Sequence, residues 1–130
     1  MKWVVPFGFA LLLGSCKVVR EGTYPPSFDY LERSQVRTQM ERFAQEVQVI
    51  DRAFAVRPVD RTAVLSGLRT LESLARELSA SNTTTNHPEI DRNLPAFLTE
   101  ISAARAGAEA DPPNDFLAGN VTGSCRYCHH

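Results

Sequence analysis

Cysteine is scarce in this chain: only Cys16, Cys125 and Cys128 occur among 130 residues. An odd number leaves one thiol over in any intrachain disulfide scheme, which excludes a disulfide scaffold as the organising principle. Charge of one sign is equally lacking. Lysine and arginine together number 14 against 15 for aspartate and glutamate, so there is no basic footprint for nucleic acid or for an anionic membrane surface. Long apolar runs are missing too. The run Trp3 to Leu13 falls well below the roughly 20 residues that a membrane-crossing helix requires. No segment alternates apolar and polar residues in the manner of a strand, and no internal repeat is present, which excludes sheet folds and repeat solenoids. Methionine is rare, and Met40 is the only one beyond Met1.

What is present begins with an export pattern. Lys2 supplies a short charged region, Trp3 to Leu13 an apolar core, and Gly14-Ser15 small residues ahead of Cys16, which together read as a signal peptide. Leu13-Gly14-Ser15-Cys16 resembles the bacterial lipoprotein cleavage box. That resemblance implies that Cys16 becomes the mature N-terminus and carries acyl chains; an ordinary signal peptide with an incidental cysteine is the alternative. Lys17 rather than aspartate after the cysteine implies, by likeness to lipoproteins in general, the outer membrane. The expected organisation is a signal peptide over residues 1–15, a lipidated cysteine and tether with Gly22 and Pro25-Pro26 over 16–27, and one domain over 28–130.

That domain reads as helical. Val36, Met40, Phe43, Val47, Ile50 and Phe54 recur at alternating spacings of four and three, predicting a helix over about Phe28 to Val56 that Pro58 ends. Asp60 is placed to cap a second helix running to about Ala80, with Val64, Leu68, Leu71, Ala75 and Leu78 on one face and Leu65 and Leu74 widening it. Pro88 suits the first turn of a third helix whose stripe is Leu94, Phe97, Leu98, Ile101 and Ala104. Pro95 conflicts with that helix and moves its expected start toward Asn93. A fourth helix is expected after Pro112-Pro113, carrying Phe116, Leu117, Val121 and the C-terminal cluster, with Gly119 and Gly123 as weak points.

The cluster Cys125-Arg126-Tyr127-Cys128-His129 is a C-x-x-C-H pattern, which attaches c-type haem through two thioethers with histidine as axial iron ligand. On an α-helix, Cys128 lies about 60° and His129 about 40° around the axis from Cys125, so all three face one group. This allocation, with Cys16 given to lipid, uses every thiol. A closed zinc site needs four ligands, and only His87 remains as a distant imidazole. A thioredoxin-type C-x-x-C belongs to a βαβ pattern, which this chain lacks.

Four amphipathic segments with a single C-x-x-C-H on the last resemble the class II cytochromes c, the cytochrome c-prime family. The segment Val121-Thr122-Gly123-Ser124-Cys125-Arg126-Tyr127-Cys128-His129 is similar to that family's haem-binding segment. The resemblance implies an all-α, antiparallel up-down-up-down four-helix bundle with one covalent haem c on the C-terminal helix, often as a homodimer. The family's segment continues a further turn with an aromatic and a basic residue, whereas here only His130 follows His129. Arg126 is the nearest basic residue.

The sixth iron position separates the functional readings. Counting equal lengths from the shared end of antiparallel first and fourth helices sets His129 level with Gln39 and Met40. Met40 then either ligates iron, giving a raised potential, or fills an irregular gap in the core. Arg33 and Arg37 either contact the haem propionates or form a solvated face. His87 and His130 are weaker candidates as distal ligands. The expected function is non-enzymatic: single-electron transfer with a periplasmic or membrane redox partner, from a lipid anchor on the periplasmic side of the bacterial envelope. Two alternatives stand beside it. One is a five-coordinate haem protein that binds nitric oxide or carbon monoxide, the other a non-haem structural lipoprotein.

Overall fold

The structure, a computed structural model, describes residues 31–80, 85 and 87–129. The expected signal peptide, Cys16, the tether and His130 lie outside the described residues. Among the described residues the fold is all-helical. Helices α1 (Arg33–Ala55), α2 (Arg61–Ala80) and α3 (Pro88–Glu109) are followed by a 3-10 helix over Ala118–Tyr127, and no strand occurs. Each element packs on the next, and the 3-10 helix returns to touch α1, which closes the set around one core. No helix among the described residues is long and apolar enough to cross a membrane.

The helix ends follow local chemistry and correct three expectations. Helix α1 opens at Arg33, later than Phe28, because the Glu32 backbone N–H donates to Gln35 Oε1 at 2.8 Å and fixes the first turn there. Helix α2 opens where Asp60 Oδ1 accepts from the Ala63 amide at 3.0 Å, as its capping role predicts. Helix α3 runs from Pro88 straight through Pro95 instead of starting near Asn93. Pro95 faces solvent, so water can serve the carbonyl that its missing N–H leaves unpaired.

The fourth element departs furthest, being a 3-10 helix that begins at Ala118 instead of an α-helix from Pro112. The segment before it is tied to α3. Asn114 N–H donates to the Gly107 carbonyl at 2.9 Å, and a Cβ on Gly107 would come 2.9 Å from the Asn114 carbonyl oxygen, so glycine permits the close crossing. Arg61 spans the same junction, bonding Asp115 at 2.6 Å and the free Ala108 carbonyl at 2.7 Å. With three residues per turn, every third side chain of the 3-10 helix is eclipsed. Ala118, Val121 and Ser124 accordingly form its buried line. Phe116 and Leu117, expected in an apolar stripe, stand exposed instead, Phe116 at 72%.

Packing is uneven along the bundle. Ile50, Val64, Leu68, Leu71, Leu74 and Ile101 are almost wholly buried, each such side chain contributing about 1.5–3 kcal/mol relative to exposure. Helices α1 and α2 approach closely at Gly67, where a Cβ would fall 2.6 Å from Ile50 Cγ1. Ile50 is 1% exposed and has no space to yield. Gly67→Val should therefore destabilise the fold by about 1–3 kcal/mol through overpacking, measurable as a lower urea midpoint with an unchanged slope. A wild-type midpoint would refute this close packing. Toward the N-terminal halves of α1 and α3 the seam loosens: Met40, Ile90, Leu94 and Phe97 are only half-buried.

Candidate functional site

Those half-buried side chains line a small open cleft of about 50 Å³, well under the roughly 300–1,000 Å³ of enclosed cofactor and ligand sites. Met40 and Phe43 enter it from α1, and Ile90, Leu94 and Phe97 from α3. They do so because the apolar seams that bury Val47, Ile50, Ile101 and Ala104 deeper in the bundle continue past the point where the helices fill the gap between them. Phe43 and Phe97 meet edge-to-face, with centroids 5.6 Å apart and planes at 89°, a geometry that fixes both rings.

The remaining wall is the C-terminal segment: Ser124, Cys125, Cys128 and His129. The Cys125 carbonyl accepts from both the Cys128 amide at 3.3 Å and the His129 amide at 3.0 Å. This closes one turn over the whole C-x-x-C-H pattern. Cys125 lies within the 3-10 helix and Cys128 caps it, so 3-10 spacing brings the two cysteines nearly onto one line, where an α-helix would set them about 60° apart. Cys125 is exposed and Cys128 half-buried, and both thiols are free. Burial raises the Cys128 thiol above its ordinary range, with smaller contributions from Glu89 and Cys125. His129 stands exposed at the cleft wall, where its imidazole is accessible.

The cleft thus brings together Met40, Cys125, Cys128 and His129, which are far apart in sequence or at the chain's end. Arg33 and Arg37 are exposed on α1 ahead of Met40 and are not among the lining residues. His87 precedes α3 and is likewise outside the lining. No cluster of three or more His, Cys, Asp or Glu ligands is present among the described residues.

No protein-family model, curated protein or solved structure matches the chain.

A polar seam behind the motif has no counterpart in the sequence pattern. Ser124 Oγ and Tyr127 Oη both donate to Glu100 of α3, each at 2.5 Å. The hydrogen bond from Ser124 and then that from Tyr127 hold the Glu100 carboxyl below its usual range, while the Glu100 bond raises the Tyr127 phenol. One helical repeat of seven earlier, Asn93 Nδ2 donates to the Tyr127 carbonyl at 2.8 Å. The only signal in the sequence is position: Asn93 and Glu100 share one face of α3.

Proposed function

We propose that this chain is a monohaem c-type cytochrome that transfers single electrons. The observation that carries the reading is an apolar cleft whose wall is the C-x-x-C-H turn and whose interior presents Met40. The donor set suits the group. Cys125 and Cys128 would hold haem covalently, as each thiol adds its S–H across a vinyl double bond with no net oxidation. His129 would supply a nitrogen ligand and Met40 a thioether. Haem would bring the one-electron chemistry, while Phe43, Ile90, Leu94 and Phe97 would keep water from it and so help to set its potential.

The remaining parts of the proposal rest on the sequence. They are an antiparallel up-down-up-down bundle, attachment of the haem to its last element, and acylation at Cys16 with the domain held at the periplasmic face of the outer membrane. A redox protein in the periplasm or membrane would be the partner. Arg33 and Arg37, exposed and without an ion pair to another described residue, would be the cations to meet the propionates.

The test is production of the full chain in a bacterium with a working haem-attachment system, followed by denaturing electrophoresis and haem staining. The wild type should keep its stain through denaturation, and the Cys125→Ala, Cys128→Ala double variant should lose it. An unstained wild type rejects the cytochrome. The oxidised and reduced absorption spectra of the stained protein then distinguish electron transfer from gas binding, since a six-coordinate low-spin pattern belongs to the first and a five-coordinate high-spin pattern to the second.

A further inference from the structure

We infer that Glu100, assisted by Asn93, is the positioning residue of the C-x-x-C-H turn, acting by clamping the residues immediately before each cysteine to α3. The inference deepens the cytochrome reading and rests on it. Ser124 precedes Cys125 and Tyr127 precedes Cys128, and these two flanking residues are the ones whose hydroxyls converge on the Glu100 carboxylate, each at 2.5 Å. Hydrogen bonds to an ionised acceptor are roughly twice as strong as neutral ones. Asn93 adds a third fastening at the Tyr127 carbonyl, 2.8 Å away.

The need for a clamp follows from the helix type. A 3-10 helix has poorer hydrogen-bond geometry than an α-helix and seldom runs beyond about three or four residues unaided. This one spans Ala118–Tyr127 and contains Gly119 and Gly123, neither of which has an atom within 4 Å of where a Cβ would lie. Those two positions therefore add no side-chain packing to that stretch. The buried line of Ala118, Val121 and Ser124 ends at Ser124, and beyond it polar fastening takes over from apolar packing. Tyr127 and Ser124 lie on one line of the helix, since positions three apart are eclipsed. Cys125 and Cys128 lie together on the next line and face the cleft. Fixing the first line fixes the rotation of the second. Glu100 touches neither the thiols nor the imidazole among its hydrogen-bond partners, so its role is orientation alone.

The experiment compares Glu100→Ala, Glu100→Gln and Tyr127→Phe with wild type and with Glu72→Gln, a destabilising change on α2 away from the cleft. The first readout is amide hydrogen exchange at Cys128 and His129 in the full chain made without haem. The second is the fraction of chains carrying two thioethers rather than one, measured by intact mass and peptide mapping after haem attachment. Glu100→Ala should speed exchange at both amides by about tenfold or more and shift chains toward a single thioether. Glu100→Gln, whose amide oxygen still accepts, should recover part of both effects, and Tyr127→Phe should give an intermediate loss. Glu72→Gln should lower stability without favouring these amides or changing linkage. Wild-type exchange and linkage in Glu100→Ala, or equal effects from Glu72→Gln, would overturn the clamp. A wild type with no covalent haem, but with exchange that responds to Glu100, would instead reject the cytochrome and leave the clamp standing.

Discussion

In the proposed cytochrome, Met40→Ala should convert a low-spin haem iron to high spin, lower its midpoint potential and open a position for carbon monoxide. The thioether is a neutral, soft ligand that favours the reduced iron, so its loss removes a source of raised potential. The geometry behind this expectation is that Met40 lines the same cleft as His129 from helix α1, half-buried and packed against the apolar core. A packing role predicts something different. Truncating a methionine that only fills space costs about 2–5 kcal/mol of stability and leaves coordination as it was. Optical spectra, potentiometric titration and thermal melts on the same preparation distinguish the two. A variant that melts lower yet keeps the wild-type spectrum and potential rejects Met40 as ligand.

The second large effect is expected at Glu72, far from that cleft. Its carboxylate accepts from Arg76 and Arg105 at 2.6 Å each and from Ser102 at 2.9 Å, with only 9% of the side chain exposed. These partners, Arg76 first and Arg105 next, bring its pKa down to about 2 from 4.5. Because the folded value is depressed, the associated stability is fully present above the unfolded pKa and disappears as pH falls toward the folded one. It amounts to on the order of 2 kcal/mol, less than the full shift implies because Arg76 remains open to water. Glu72→Gln should cost about that much at neutral pH and should flatten the decline of stability between about pH 4.5 and 2. Glu109, held down chiefly by Arg69, and Glu100 titrate in the same direction, so the difference between variant and wild-type pH curves isolates Glu72. Parallel curves over that window would reject the assignment.

How much of the molecule is legible in its sequence depends on the physics each residue obeys. The seams of α1 and α2 are legible because apolar side chains recurring at this spacing share one face only on a helix. Val36, Phe43, Val47 and Ile50, then Leu68, Leu71, Ala75 and Leu78, are buried as their period requires. The C-terminal element differs from expectation in type and starting point. Even so, Met40 lines the same cleft as Cys125, Cys128 and His129. Pro95 runs against its expectation because a proline's cost depends on whether its helix face meets water, which the sequence pattern alone does not settle there. The Glu100 seam is illegible for a different reason. Glutamate, serine and tyrosine on helix surfaces usually face solvent, and only the crossing of α3 by the last element brings these three together.

The unequal filling of the bundle also bears on the order of events in the protein's life. Where Ile50, Leu68, Leu71 and Ile101 meet, the interior is closed by the chain's own side chains, whereas the other end is completed only in part by Met40, Leu94 and Phe97. If the cytochrome proposal holds, folding and cofactor capture fall to opposite ends of the same helices. On the proposed reading, the polypeptide arrives at the attachment step with its helices already packed at one end and not as a coil that must condense around its cargo. The closed end would then supply the rigidity, and the open end would keep its apolar surface available until the proposed thioethers form.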